Sequence, residues 1–185
     1  MALDLTILNG IGDGAADGNA SFQGDLSGNA GQILAGDNAP TSIFQSELEG
    51  LGANTTIVLQ ANGSISLDPS LIAINFANLT GGGGGNISFI ADFDNNGVGS
   101  YSGGSAALNA SGRNLSISGA EVSANGINTL NSSSENSGNG GAIALNSYAN
   151  ISTSSLASYS VVYVNGTAGN GGAIPLNSSS DISTS

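Results

Sequence analysis

The chain has 185 residues, with 13 acidic side chains, no histidine or cysteine, and Arg113 as its only cation, for a net charge of −12. That balance excludes a nucleic-acid partner, which needs Lys and Arg to displace phosphate counterions, and argues against an anionic membrane surface. The lack of cysteine excludes a disulfide framework and thiolate metal sites.

Charged residues are 8% of the chain, against about 25% in an ordinary soluble domain. A Ser/Asn-rich, weakly charged composition also fits a disordered linker. Against that, Ile, Leu, Val and Phe recur in spaced pairs along the whole chain, and mean hydropathy is +0.12. The pattern therefore points to an ordered domain. No run reaches ~18 apolar residues, so no membrane insertion is expected. No basic and apolar leader opens the sequence, so no signal peptide is expected.

Taken in order, Leu3–Leu8 alternates apolar and polar and is a predicted first strand. Residues 1–40 otherwise read as an irregular first coil or a partly mobile segment. They carry Asp13, Asp17, Asp25 and Asp37, with Phe22, Leu26, Ile33 and Leu34 as apolar anchors. Residues 41–52 hold the one helical signal. Ser42 with Gln45 gives a capping-box spacing. Phe44, Leu48 and Leu51 fall on one helical face, and Gly50 is placed to end the turn. This predicts a short helix on the side or end of the fold.

Residues 53–185 are a nearly continuous series of short alternating runs. The predicted strands are Thr55–Ala61, Ser64–Leu67, Leu71–Phe76, Asn86–Ala91, Val98–Tyr101, Ala106–Asn109, Asn114–Ser118, Ala120–Ser123, Ile127–Leu130, Ala142–Asn146, Asn150–Thr153, Val161–Val164, Ala173–Asn177 and Asp181–Thr184. Glycine and asparagine punctuate them as turns. Gly138-Asn139-Gly140-Gly141-Ala142-Ile143-Ala144-Leu145-Asn146-Ser147 returns 31 residues later from Gly169 to Ser178, and Asn150–Ser154 returns as Asp181–Ser185. The strongest strands begin near Ile57, Ile87, Leu115, Ile143 and Ile174, at spacings of 30, 28, 28 and 31.

A fixed period of strands is the signature of a stacked architecture. The expectation is an all-β solenoid, with about three strands per coil and four to six coils. The five ladder residues would stack inside about 4.8 Å apart in parallel register, and asparagines at matching corners would bond between coils. The last unit stops at its second strand, so the chain reads as a piece of something longer.

The Gly-Asn-Gly-Gly-Ala-Ile-Ala-Leu-Asn-Ser units, Ser88–Ser100, Gly112–Ala120 and the stretch from Phe44 to Ala61 resemble the repeats of filamentous-haemagglutinin-like exoproteins, those of filamentous cyanobacteria above all. The resemblance spans roughly residues 42–185. It implies a right-handed parallel β-helix, exported to the cell surface and acting as a rigid stalk or adhesin. The Asn-Pro-Asn-type motifs of the two-partner-secretion targeting domain are not found here, so the expectation is either a piece downstream of that domain or a different export route.

Asp92, Asp94 and Asn96, followed by Gly97, have the oxygen spacing of the front half of a calcium loop. Gly103 stands where that loop places its bidentate Glu, and an ordinary polar turn explains the same residues. No other cofactor is expected. The glycine clusters open no helix and precede no lysine, which excludes a phosphate loop. The calcium β-roll pattern fails as well, because Asn86, Ala142 and Ala173 replace its Asp. Enzyme chemistry is not expected. Polysaccharide lyases need a cation and a base, and Asp68, Asp92, Asp94, Glu121, Glu135 and Asp181 are scattered rather than paired. Arg113 reads as a surface residue paired with an acid on an adjacent coil. Tyr101, Tyr148, Tyr159 and Tyr163 read as strand-end packing or as a sugar-stacking patch. Threonine is too sparse for an ice-binding face.

The function expected is a structural or adhesive module at the cell surface. Its partners would be other copies, end to end or side by side, and surface carbohydrate. A calcium-stabilised adhesin for carbohydrate is the alternative, and a polysaccharide-active enzyme the remote one.

Overall fold

The computed structural model describes residues 4–10, 31–35, 42–77, 84–133, 137–164 and 166–184. Most of the first forty residues, including Asp13, Asp17, Asp25 and Asp37, lie outside the described residues, as does Glu135.

The described chain is almost wholly β. Its strands are β1 (Leu5–Leu8), β2 (Gln32–Ile33), β3 (Ser42–Phe44), β4 (Ile57–Gln60), β5 (Ile65–Leu67), β6 (Ala73–Asn75), β7 (Ile87–Ile90), β8 (Tyr101–Ser102), β9 (Ala107–Asn109), β10 (Leu115–Gly119), β11 (Val122–Asn128), β12 (Asn131–Ser133), β13 (Ile143–Ser147), β14 (Ile151–Ala157), β15 (Ser160–Val162), β16 (Leu176–Ser178) and β17 (Ile182–Thr184). One helix, α1, spans Gln45–Glu49. Every pairing between these strands is parallel.

One sheet runs β16-β13-β10-β7-β4-β2; a second runs β17-β14-β11-β8-β5-β1-β3, with β6 and β9 alongside; a third pairs β12 with β15. Each coil contributes one strand to the first sheet before turning into the second. The arrangement is a parallel stack of coils, consistent with a β-solenoid.

Register follows from the period. Ile57 pairs with Ile87, Ile87 with Leu115, and Leu115 with Ile143. The Ile143 amide donates to Ala173 O at 2.9 Å, which sets Ile174 on Ile143. A second column two residues on runs Ile33, Leu59, Phe89, Ile117, Leu145 and Leu176. Across the core, Leu5, Ile65, Tyr101, Val122, Ile151 and Ile182 form a third. From Ile57 to Ile143 the first column is fully buried. Such columns bury apolar surface only between neighbours, so no coil is stable alone. The outward Asn ladders are present too: Asn109 Nδ2 donates to Asn75 Oδ1 at 2.7 Å and Asn177 Nδ2 to Asn146 Oδ1 at 2.8 Å.

The helix is where local sequence misleads. Ser42 is not its cap. Residues 42–44 pair with β1 as a strand, and Glu47 Oε2 instead accepts from the Phe44 amide at 2.6 Å. Phe44, Leu48 and Leu51 are buried as the helical spacing predicts. β3 lies on the outer side of β1 although it follows it in sequence, so this segment folds back over one end of the stack. There the side chains of α1 complete the outer edge of β6. Gln45 Nε2 donates to Ala73 O at 2.8 Å, and the Asn75 amide donates to Glu49 Oε1 at 2.7 Å. An exposed strand edge invites another strand, and these two side chains cover it.

Two further differences concern strand limits. Ala120–Ser123 and Ile127–Leu130 are one strand, β11, which spans both β8 and β9. The region predicted as Val98–Tyr101 is strand only at Tyr101–Ser102. Its start is an exposed loop, where Gly99 at φ 143° packs against Gly63 O.

Arg113 is not a surface residue. It is fully buried, and its hydrogen-bond partners among the described residues are backbone carbonyls rather than carboxylates. It sits two residues before Leu115, in a corner column with Thr55, Gly85, Gly141 and Gly172. Carbonyls in this column turn inward. A Cβ on Gly141 would stand 2.0 Å from Arg113 O, so only glycine fits above it. Arg113 Nε donates to Gly85 O at 2.8 Å, and its Nη2 donates to Thr55 O at 2.6 Å, one and two coils away. The guanidinium lies over the Phe76 ring at 5.8 Å. Burial lowers its pKa from the ordinary value. One coil above Arg113, Thr129 Oγ1 and Ser158 Oγ perform the same task for Gly141 O.

Candidate functional site: a corner groove beside the Asp92–Gly97 loop

The loop after β7 is built by backbone that only certain residues tolerate. Asp92 and Asn95 have φ of 51° and 55°, and Gly97 has 79°. Asp and Asn reach this region more readily than other side chains because they bond locally. The Asp92 amide donates to Gly63 O and the Phe93 amide to Ala61 O, both at 3.0 Å, which fastens the loop to the coil below.

The three predicted cation ligands lie together here. Asp92 is 1% exposed. Its Oδ1 accepts from the Asn96 amide at 3.0 Å and its Oδ2 from the Gly97 amide at 3.1 Å. Asp94 Oδ2 accepts from Asn96 Nδ2, and Asn96 Oδ1 accepts from the Val98 amide, each at 2.8 Å. All three side chains thus hold the loop itself, and a calcium ion would compete with those bonds. Among the described residues no three His, Cys, Asp or Glu side chains gather in one place.

The loop walls one side of a groove of about 320 Å³. The outward column Ile90, Ser118, Asn146 and Asn177 makes its floor, and the next position in each coil, from the buried Ala91 and Gly119 to the half-buried Ser147 and Ser178, lines the corner beside it. Tyr148 forms the other wall. It is 59% exposed, and its hydroxyl donates to Asn95 Oδ1 at 2.8 Å, so the ring is braced against the loop. Behind the ring lies a second hollow, lined in part by Val98, Gly99 and Glu121. Ser147 Oγ is committed to Ala120 O at 2.8 Å, and Ser178 Oγ to Ala149 O. Asn146 and Asn177 carry the groove's outward polar edge.

The four tyrosines divide. Tyr101 is buried and stacks on Phe89 at 5.9 Å between ring centres, so it is packing. Burial raises its phenol pKa well above the ordinary value. Tyr159 and Tyr163 are exposed but do not line the groove. Sequence reasoning missed Asn95, Asn146 and Asn177. The signal for the last two was the 31-residue echo, which puts identical residues on one column.

No helix among the described residues is long and apolar enough to cross a membrane. Comparison with family models, with curated proteins and with solved structures finds no match to this chain.

Proposed function

We propose that this chain is a stacked-coil structural module of an exported surface protein of the filamentous-haemagglutinin-like kind. In this reading it acts through shape and through contact along its length. The observation that carries it is the unbroken parallel register of the Ile57–Ile87–Leu115–Ile143 column. The only cation is spent inside the stack, which leaves little chemistry on the surface. Right-handed winding belongs to the proposal, because a connection between parallel strands of one sheet is right-handed in about 98% of cases.

End-to-end association belongs to it as well. At the outer coil, Ile174 and Ile182 are 38% and 45% exposed, and further coils or copies would bury them. Six levels at about 4.8 Å give roughly 24 Å of stacked backbone, so a stalk needs more than one such module. Antibodies raised against the folded chain test the proposal on cells of the source organism. Labelling of intact cells is expected. Labelling that appears only after the cells are permeabilised would overturn it.

A further inference from the structure

The geometry points to the Tyr148 groove as a binding site for a neutral polysaccharide lying along the stack. This goes beyond the structural-module reading and does not depend on it.

Shape is the first argument. The floor column runs through four successive coils, from Ile90 to Asn177. Three rises of about 4.8 Å make that path roughly 14 Å long. The volume of about 320 Å³ lies in the range of small-ligand sites, roughly 300–1,000 Å³. A straight trough along the axis suits a linear chain better than a compact metabolite.

Chemistry is the second. Tyr148 offers an apolar ring face with its polar tip already satisfied by Asn95. The C–H face of a pyranose ring packs on such a surface. Beside it, the Asn177–Asn146 bond uses one donor and one acceptor of the amide pair. That bond runs from Asn177 Nδ2 to Asn146 Oδ1, so it leaves over the Asn146 amide N–H groups and the carbonyl oxygen of Asn177, donors and an acceptor matched to sugar hydroxyls.

Charge is the third, and it selects among glycans. The chain's single guanidinium is buried in the far corner column, bonded to Gly85 O and Thr55 O. Nothing cationic is left to meet a uronate, a sulfate or a phosphate. Both carboxylate oxygens of Asp92 are taken by backbone amides. The floor side chains themselves are uncharged, and the Asp92 carboxylate at the wall carries its negative charge and repels an anionic glycan, so the ligand that fits is neutral.

Affinity electrophoresis of the whole chain tests this. Native gels are cast with hydroxyethyl-cellulose, laminarin, galactomannan or dextran, and with alginate as the anionic comparison. Expected is retardation by at least one neutral polymer and none by alginate. Tyr148→Ala should weaken that retardation at least tenfold, while Tyr163→Ala, at a tyrosine outside the groove, leaves it unchanged. Paired Asn146→Ala and Asn177→Ala should weaken it too, which covers the case in which Tyr148→Ala fails to fold. The proposal is overturned by unaltered migration in all four neutral gels or by retardation in alginate. Equal retardation of wild type and the groove variants, or equal loss in Tyr163→Ala, would overturn it as well.

Discussion

Arg113 reaches past its neighbouring coil to bind Thr55 O at 2.6 Å, 58 residues earlier in the chain. The same side chain holds Gly85 O on the way. A buried arginine without a carboxylate is uncommon, because the desolvation cost of the charge must be met by other polar groups. Here two inward carbonyls and the Phe76 face offset part of it, while Nη1 is buried with no hydrogen-bond partner among the described residues. Removing the side chain leaves both carbonyls unpaired, at ~1–3 kcal/mol each. Arg113→Ala should therefore lose about 2–6 kcal/mol in urea unfolding. Arg113→Lys should fall between, since one ammonium cannot reproduce the fork. A loss under about 0.5 kcal/mol for the Ala variant would remove the clamp from the account.

The helix α1 makes a matching claim at the end of the stack. Gln45 and Glu49, bonded to each other at 2.8 Å, complete the edge of β6 at Ala73 O and the Asn75 amide. Replacing either with Ala frees one backbone group at a partly wet site, so each should cost about 1 kcal/mol. The double variant should be less than additive, because the pair acts as a unit. Hydrogen exchange at the Asn75 amide is the sensitive readout. It should speed up in Glu49→Ala, and unchanged exchange would contradict the edge-covering role.

Legibility in the sequence tracked the range of the interactions. The columns through Ile57, Ile87, Leu115, Ile143 and Ile174 were readable because an inward position repeats in every coil, and the period survives small corner insertions. Arg113 was misread because its partners are backbone carbonyls 28 and 58 residues away, which leave no mark on side-chain identity. One clue existed: Arg113 occupies the slot where Gly85, Gly141 and Gly172 stand in other coils. The placement of β3 outside β1 was likewise hidden, since pairing Thr6 with Ser42 needs a strand out of sequence order. The turn at Asp92–Gly97 was legible from its Asp, Asn and Gly residues, but its oxygens could not be assigned to amides without its backbone turns.

Burial along one column should be readable as a gradient in stability. Ile143 is fully buried between Leu115 and Ile174, whereas Ile174 is 38% exposed on the outer coil. Ile143→Ala should cost about 2–5 kcal/mol, the usual range for a core truncation. Ile174→Ala should cost less than about 1 kcal/mol, because much of its surface is already wet. Equal costs from thermal or urea unfolding would mean that the two positions are not successive rungs.

Acid titration gives an independent check at the corner after β5. The Ser70 hydroxyl and then the Ser70 amide donate to Asp68 Oδ1, and they hold its pKa below the ordinary 3.8. A carboxyl lowered on folding lends stability above its unfolded pKa, and that stability is lost as pH falls through the folded value. The Asp68 carboxyl resonance in NMR should titrate with a midpoint below 3.8. In Ser70→Ala, which loses the larger of the two causes, the midpoint should rise. A midpoint at or above 3.8 in the wild-type chain would contradict the turn.

The stacking itself is tested most directly by disulfide trapping, which is clean in a chain without cysteine. Ser88 and Ser116 face each other on adjacent coils, with hydroxyls 2.8 Å apart. Parallel neighbours have Cα atoms about 4.8 Å apart, inside the roughly 4.4–6.8 Å that a disulfide spans. Ser88→Cys with Ser116→Cys should oxidise to an intramolecular bond under mild conditions, seen by mass and by gel mobility after unfolding. Ser88→Cys with Ser118→Cys, two residues out of register and roughly 8 Å apart, should not. Closure of the second pair in preference to the first would contradict the register on which the account stands.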